Sequence, residues 1–145
     1  MLFRSGAGRG TVITPHPLEA ARLLGLTAGA VQADRLASAR RLADALGTVV
    51  VLKGSGTVVA APGQTPRLNS TGNARLATAG SGDVLAGWLG GVWAGLEAPA
   101  GADPLALALQ ASCASVALHG LAADQARGRV LPASGLAGAM ARALD

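Results

Sequence analysis

Hydrophobic positions along the chain fall into short β-branched runs and longer helical repeats. The runs predict strands at Thr11–Thr14, Thr48–Leu52 and Thr57–Ala61, with a further short strand at Pro66–Leu68. The TVVVL run of the second strand has no polar position after its threonine, which is typical of a strand buried on both faces. Such a strand needs neighbours in a sheet.

Helical periodicity predicts five helices. The first covers Pro17–Leu24, with proline in its first turn and Gly25 after its end. The others cover Val31–Leu46, Gly82–Leu96, Pro104–Ala126 and Pro132–Leu144. In the second helix the expected apolar face is Leu36, Ala39, Ala43 and Leu46, and the polar face is Arg35, Arg40, Arg41 and Asp44. Ser134 is the predicted N-cap of the last helix. Strands that alternate with helices predict α/β layering in one domain.

Composition limits the classes of partner. Half of the residues are hydrophobic and 14% are charged, which excludes a disordered chain. The aromatic residues Phe3, Trp88 and Trp93 are too few for a base-stacking surface. Basic residues are scattered at a net charge of +4, so a small anionic ligand fits better than nucleic acid or a membrane. Cys113 is the only cysteine, which suits a reducing cytoplasm. The apolar stretch Leu105–Leu118 contains polar residues, which favours a buried helix over a membrane span.

A glycine turn opens the helix that begins at Gly82. In AGSGDVLAG, Gly80 and Gly82 flank Ser81, and consecutive amides at such a turn form an anion site. Asp83 lies in the first helical turn, where the dipole favours its charged form. A carboxylate there can take a proton from a hydroxyl that attacks phosphorus. The structural alternative is that Asp83 only caps the helix.

Two further loops follow predicted strands. Lys53–Thr57 (KGSGT) offers a lysine and loop amides for a nucleotide, the alternative being a glycine-rich hairpin with a solvated lysine. His16 lies between two prolines at a strand end, where α/β proteins bind ligands. His119 is interpreted as a satisfied core histidine. Two histidines and one cysteine give no metal-ligand spacing, so no metal ligand is directly identified.

The order of these motifs resembles the ADP/ATP-dependent NAD(P)H-hydrate dehydratases, whose fold is ribokinase-like. That family carries a TPHPGE-type segment, a KG-x-x-T loop and a TGNPGMA-x-GG(T/S)GDVL(A/S)G block. The chain has TPHPLEAARLLG at 14–25, KGSGT at 53–57 and TGNARLATAGSGDVLAG at 71–87, and LPASGL at 131–136 is similar to a family helix start. The departures are Leu18 for glycine, Ala74–Leu76 for Pro-Gly-Met, and Gly135 for aspartate.

The resemblance runs from about Thr11 to the C-terminus and implies the C-terminal portion of a ribokinase-like α/β/α fold, with the N-terminal half missing. On this reading residues 1–10 are an irregular segment and residues 11–145 are a partial dehydratase domain. The implied reaction restores NADH or NADPH from its 6-hydroxy hydrate with ADP or ATP and Mg²⁺. A cytoplasmic protein, a homotetramer, and no nucleic-acid or membrane partner are expected. Two alternatives stay open: a ribokinase-like small-molecule kinase, and an inactive remnant of the dehydratase.

The resemblance also implies roles for individual residues. Asp83 is the expected catalytic base and a contact of the hydrated dinucleotide, which His16 also contacts. The expected nucleotide-binding residues are Lys53, Gly54, Ser55, Gly56, Thr57, Gly80, Ser81 and Gly82. Asn69, Thr71 and Asn73 are expected to help hold phosphate and Mg²⁺, and turn chemistry is the alternative for these three.

Overall fold

The structure is a computed structural model that describes residues 2–4, 10–97, 99–128 and 130–144. Its sheet has five strands in the order of the chain. They are β1 (Leu2–Arg4), β2 (Thr11–Ile13), β3 (Val49–Leu52), β4 (Val58–Ala60) and β5 (Arg67–Leu68). Strands β2 and β3 are parallel, with Val12 opposite Val49, and the other neighbours are antiparallel. The carboxyl ends of β2 and β3 therefore lie at the same edge of the sheet.

The first strand corrects the expectation for residues 1–10. Leu2–Arg4 pairs antiparallel with β2 rather than forming irregular chain, with Phe3 opposite Val12. The pairing supplies partners to backbone groups on the outer edge of β2, which would otherwise be unpaired. The rest of that predicted segment, apart from Gly10, lies outside the described residues.

Six α-helices accompany the sheet in the described part of the chain. They are α1 (Pro17–Leu24), α2 (Ala28–Ala33), α3 (Arg35–Leu46), α4 (Ser81–Gly95), α5 (Pro104–Gln125) and α6 (Ala133–Arg142). A 3₁₀ turn covers Ala74–Leu76. Proline at the first turn of α1 and of α5, and left-handed Gly25 and Gly47 after α1 and α3, set the limits of these helices.

The predicted single helix over 31–46 is wrong, because the chain breaks at Asp34. Its backbone leaves the helical region at φ −143° and ψ 84°, and its carboxylate accepts a hydrogen bond from the Ala37 amide at 2.9 Å. This side-chain cap replaces the helical bond that a continuous helix would make. Leu36 and Leu46 are about half exposed, so they do not form the core face that the pattern predicted for them.

The prediction that Ser134 caps the last helix is also wrong. The N-cap lies two residues earlier, at Pro132, and makes no side-chain capping bond, so the helix begins at Ala133. Proline has no amide hydrogen to satisfy and its fixed φ suits the start of a helix. Ser134 is therefore an ordinary first-turn residue of α6.

Helices cover both faces of the sheet, as an α/β layering requires. Val49 and Val51 of β3 pack towards α4 and α5, while Val50 and Leu52 pack towards α1, α2 and α3. All four side chains are fully buried, which confirms the prediction from TVVVL. The window of α5 that is apolar enough to cross a membrane is 56% buried inside the fold, as expected of a core helix.

Candidate functional site

A cavity of about 480 Å³ opens where four segments meet. These segments are the β3–β4 loop, the stretch from Asn69 to Ala77, the N-terminus of α4 and the middle of α5. The described residues that line it are Lys53, Gly54, Ser55, Gly56, Thr57, Asn69, Thr71, Gly72, Asn73, Ala74, Leu76, Ala77, Ser81, Gly82, Leu85, Val116 and His119. The fold thus brings together most of the residues that the motifs predicted. Of the predicted site residues, Gly80, Asp83 and His16 are not in the cavity lining.

In the Lys53–Thr57 loop, four of the five carbonyl groups accept hydrogen bonds, while the amides of residues 54–57 are free among the described residues. It joins antiparallel β3 and β4, so its backbone forms a hairpin connection and lines the cavity at the same time. The carbonyl oxygens of Leu52, Lys53 and Gly56 accept from Arg35, and that of Gly54 accepts from the Thr57 hydroxyl at 3.1 Å. The four amides from residue 54 to 57 have no acceptor within the described chain. Successive unpaired amides are an anion-binding arrangement.

Arg35 is a part of this site that the sequence did not reveal. The pattern assigns it to the polar face of a helix, but its Nη2 atom lies 3.1, 3.3 and 3.2 Å from the three carbonyl oxygens. Its Nη1 atom donates to the Gln32 side chain at 2.6 Å. Burial lowers the pKa of the Arg35 guanidinium from its usual value, and this group nevertheless stays charged at neutral pH.

The N-terminus of α4 contributes one further free donor. Gly80 takes a left-handed conformation at φ +86°, and its carbonyl accepts from the amides of Asp83 and Val84, both at 3.0 Å. The Gly82 amide has no acceptor among the described residues. A Cβ built on Gly82 would lie 3.2 Å from the Lys53 ammonium nitrogen. The lysine charge and the helix N-terminus therefore face the same small space, an arrangement that attracts an anion.

The opposite wall of the cavity is formed by the segment 69–73, which hydrogen bonds hold against α5. The Thr71 hydroxyl donates to the Ala117 carbonyl at 2.9 Å, the Gly72 amide to Asp124 at 2.8 Å, and the Asn73 side chain to the Ala123 carbonyl at 3.0 Å and to Asp124 at 2.9 Å. The Asn69 side chain donates to the Thr71 carbonyl, and its Oδ1 lies 3.0 Å from the Thr71 hydroxyl, whose single hydrogen it shares with the Ala117 carbonyl. These side chains form the turn itself, which is the structural alternative that the sequence left open.

His119 is both a buried histidine and part of the cavity wall. It is 8% exposed, and its Nε2 donates to the Ser81 carbonyl at 3.1 Å. Burial lowers the pKa of the imidazole, and the hydrogen bond to Ser81 opposes that change in part. The residue is therefore a satisfied core histidine, as interpreted, and it also fixes the first residue of α4 beside the cavity.

His16 caps α1 next to the site. Its Nδ1 accepts from the Glu19 amide at 3.2 Å, while Glu19 accepts from the His16 amide at 2.7 Å, which completes a capping box. The bond from the His16 backbone is the main cause that lowers the pKa of Glu19, and the charge of Lys53 contributes. The Lys53 amide donates to the Pro15 carbonyl at 2.9 Å. The exposed His16 thus neighbours the glycine loop and does not pack in the core.

Asp83 is exposed in the first turn of α4, directly after Gly82. Beside it, the start of α6 approaches the glycine turn, since a Cβ on Gly80 would lie 3.2 Å from the Ala133 side chain. No group of three histidine, cysteine, aspartate or glutamate residues suited to a metal occurs within the described ranges. The donors of the cavity fit phosphate groups, and Mg²⁺ would be held there mainly by those phosphates and water.

These features define an α/β protein with an anion-binding cavity between a glycine loop and a helix N-terminus. Its fold is ribokinase-like: a ribokinase-like superfamily protein from Enterococcus faecalis V583 matches 91% of this chain and 44% of its own, with a TM-score of 0.66 and 29% identity. The profile of the NAD(P)H-hydrate dehydratases matches residues 5–141. The chain therefore belongs to the NAD(P)H-hydrate dehydratase family, which confirms the resemblance of its motifs.

Individual relatives agree with this assignment. The ADP-dependent (S)-NAD(P)H-hydrate dehydratase of Neisseria meningitidis is 49% identical over 114 residues, or 78% of this chain and 35% of that protein. The bifunctional NAD(P)H-hydrate repair enzyme Nnr of Escherichia coli is 45% identical over 113 residues, which are 78% of this chain and 20% of that protein. The Bacillus subtilis ADP/ATP-dependent NAD(P)H-hydrate dehydratase, crystallised with ATP and Mg²⁺, matches 92% of this chain and 46% of its own at a TM-score of 0.74 and 35% identity. The chain spans less than half the length of each of these relatives.

Proposed function

We propose that the chain acts in the nucleotide-dependent dehydration of the 6-hydroxy hydrate of NADH or NADPH. The observation that carries the proposal is the cluster of free donors in the cavity, which are the amides of residues 54–57, the amide of Gly82 and the ammonium group of Lys53. Such donors suit the phosphates of a nucleotide. Family membership supplies the substrate class.

Phosphate binding is assigned to two elements. Lys53 and the loop amides hold the nucleotide phosphates, and the amides at the start of α4, between Gly80 and Gly82, stabilise the phosphoryl group in transit. Little covalent chemistry is asked of the protein in such a transfer, so position and charge dominate. The bond from His119 to the Ser81 carbonyl supports this role, because it fixes the helix end that presents the Gly82 amide.

Asp83 is the proposed general base. The C6 hydroxyl of the hydrate loses its proton to the Asp83 carboxylate as its oxygen forms a bond to the terminal phosphorus of the nucleotide, and the nucleotide leaves with one phosphate fewer. The lone pair of the neighbouring ring nitrogen then expels phosphate from C6, and loss of a C5 proton restores the dihydropyridine. The exposed position of Asp83, next to the free amide of Gly82, supports this assignment.

The remaining predicted residues have supporting roles. His16 is proposed to contact the hydrated dinucleotide, because it is exposed and its segment is tied to Lys53 through Pro15. Asn69, Thr71 and Asn73 are proposed to hold the turn against α5, which shapes the cavity wall opposite the Lys53–Thr57 loop. Magnesium supplies charge neutralisation between the phosphates, and ADP or ATP supplies the phosphoryl group. We further propose a cytoplasmic setting and a homotetramer, without a nucleic-acid or membrane partner.

The test is a repair assay on the purified chain. NADH hydrate and Mg²⁺ are mixed with ADP or ATP, and the return of reduced-nicotinamide absorbance is followed. Recovery that depends on nucleotide supports the proposal and identifies the donor. Asp83→Asn is expected to lower the rate by about 10²–10⁴-fold, while the control Glu97→Gln, an exposed carboxylate beyond the other end of α4, stays within about twofold.

The other outcomes separate the alternatives. Accumulation of a stable phosphorylated alcohol would favour a small-molecule kinase. Nucleotide binding by the folded chain without turnover, under conditions in which the Neisseria relative works, would refute the proposed activity and favour an inactive remnant. An unchanged rate in Asp83→Asn, with recovery intact, would remove Asp83 as the base but leave the dehydration.

A further inference from the structure

The Arg35 guanidinium lies beneath the Lys53–Thr57 loop, at the start of α3. One nitrogen, Nη2, is within 3.3 Å of the carbonyl oxygens of Leu52, Lys53 and Gly56, so its two hydrogens are shared among three acceptors. We propose that Arg35 is a positioning residue for the reaction: it holds these carbonyls inward so that the loop amides face the nucleotide phosphates. This inference rests on the proposed function.

The geometry of the peptide unit gives the physical reason. In a trans peptide the carbonyl and the following N–H point in opposite directions. The Lys53 carbonyl directed at Arg35 therefore turns the Gly54 amide away from it, and the Gly56 carbonyl does the same for the Thr57 amide. Neither amide has an acceptor among the described residues. An orientation that would expose carbonyl dipoles to a phosphate is thereby disfavoured.

Close packing shows that the loop is shaped around this side chain. Gly54 has φ +143°, and a Cβ placed on it would lie 2.9 Å from Nη1 and 3.0 Å from Nη2 of Arg35. Glycine is the residue that tolerates both the backbone conformation and the contact. The glycine of the KGSG motif thus makes room for the guanidinium as well as for a ligand.

Charge supports the same role. The partners of Arg35 within the described chain are neutral, namely the three carbonyl oxygens and the Gln32 side chain. No ion pair neutralises Arg35 there. Its positive charge therefore remains available beneath the loop, where it adds to the attraction of Lys53 for an anion.

The experiment compares Arg35→Met and Arg35→Lys with the matched control Arg41→Met, an exposed arginine of the same helix. Calorimetry measures the affinity for ADP with Mg²⁺, and ¹⁵N relaxation measures the order of amides 54–57 without nucleotide. Arg35→Met is expected to weaken binding by at least about tenfold and to lower the order parameters of the loop. Arg35→Lys, which keeps the charge but not the planar fork, is expected to recover part of the affinity. Arg41→Met is expected to stay within about twofold.

Steady-state kinetics add a readout that a merely structural role would not move. In Arg35→Met the KM for nucleotide should rise while kcat at saturating nucleotide changes much less. The proposal would be overturned if Arg35→Met bound ADP within about twofold of the wild-type affinity and left the order parameters of amides 54–57 unchanged. If the wild-type chain itself bound no nucleotide, the proposed function would fail, and the loop order parameters would still decide the role of Arg35. If Arg35→Met did not fold, the nucleotide affinity and the loop order parameters would be compared between Arg35→Lys and the wild type.

Discussion

Gly120 lies in the C-terminal third of α5, against the turn that forms one wall of the cavity. In a Gly120→Ala variant the new Cβ would lie 2.6 Å from the carbonyl carbon of Thr71 and 2.7 Å from its Cβ, and closer still to its hydroxyl oxygen. Real side chains do not approach at such distances, and the atoms met are backbone and a branched side chain that cannot swing away. The turn must therefore move off α5.

The expected loss of stability follows from what the movement breaks. The bonds at risk are Thr71 to the Ala117 carbonyl, Gly72 to Asp124, and Asn73 to the Ala123 carbonyl and Asp124. Bonds of this kind contribute about 1 kcal/mol each, and overpacking in a well-filled site costs roughly 1–3 kcal/mol. The higher helix propensity of alanine relative to glycine offsets up to about 1 kcal/mol of this loss. The net destabilisation should therefore lie between about 1 kcal/mol, if one of the four bonds is lost, and about 6 kcal/mol, if all four are lost.

Urea denaturation followed by circular dichroism measures this change, and two glycines of α4 provide matched controls. Cβ atoms on Gly87 and Gly91 would meet nothing within 4 Å. Gly87→Ala and Gly91→Ala should therefore raise the free energy of unfolding by about 0.5–1 kcal/mol. A Gly120→Ala chain as stable as these controls would refute the assigned contact between α5 and the turn.

Two other substitutions probe the donor side of the cavity and the buried histidine. In Gly82→Ala the new Cβ would lie 3.2 Å from the flexible end of Lys53, which can move away, so the gain in helix propensity should keep the chain at least as stable as the wild type. Calorimetry should show that the affinity for ADP with Mg²⁺ falls by roughly tenfold. An unchanged affinity would argue against phosphate binding at this helix end. Because burial lowers the pKa of His119 in the folded chain, the unfolded chain binds the proton more readily, and stability should fall as the pH decreases through about 6.5. His119→Gln should flatten that part of the stability–pH profile, and an identical profile would contradict the assignment.

The sequence predicted much of the fold because apolar spacing reports on local geometry. The β-branched run of β3 and the spacing along α4 both correspond to elements at nearly the predicted bounds. The break at Asp34 could not be predicted in this way, since the apolar period continues across it and a single side-chain cap decides the outcome. Strand β1 was missed because its assignment depends on pairing with β2 and not on a pattern of its own.

In the candidate site too, the local features could be predicted from the sequence and the contacts between distant residues could not. The glycine motifs identified the loop after β3 and the turn before α4, because left-handed glycines and a helix start are local features. The groups that hold these loops are distant in the chain: Arg35 contacts a carbonyl 21 residues away, and Asp124 contacts Gly72 across 52 residues. Nothing in the immediate sequence of either residue indicates such a partner.

The two walls of the cavity differ in how their hydrogen-bonding groups are used, and this difference sets the orientation of a ligand. On the wall next to α5, the side chains of Asn69, Thr71 and Asn73 are engaged within the described chain. On the loop wall, the amides of 54–57 lack protein acceptors and so must be hydrated when no ligand is bound. A ligand that replaces this water must bring acceptors of its own, and phosphate oxygens do so. On the proposed function, the anionic end of the nucleotide is therefore expected at the loop wall.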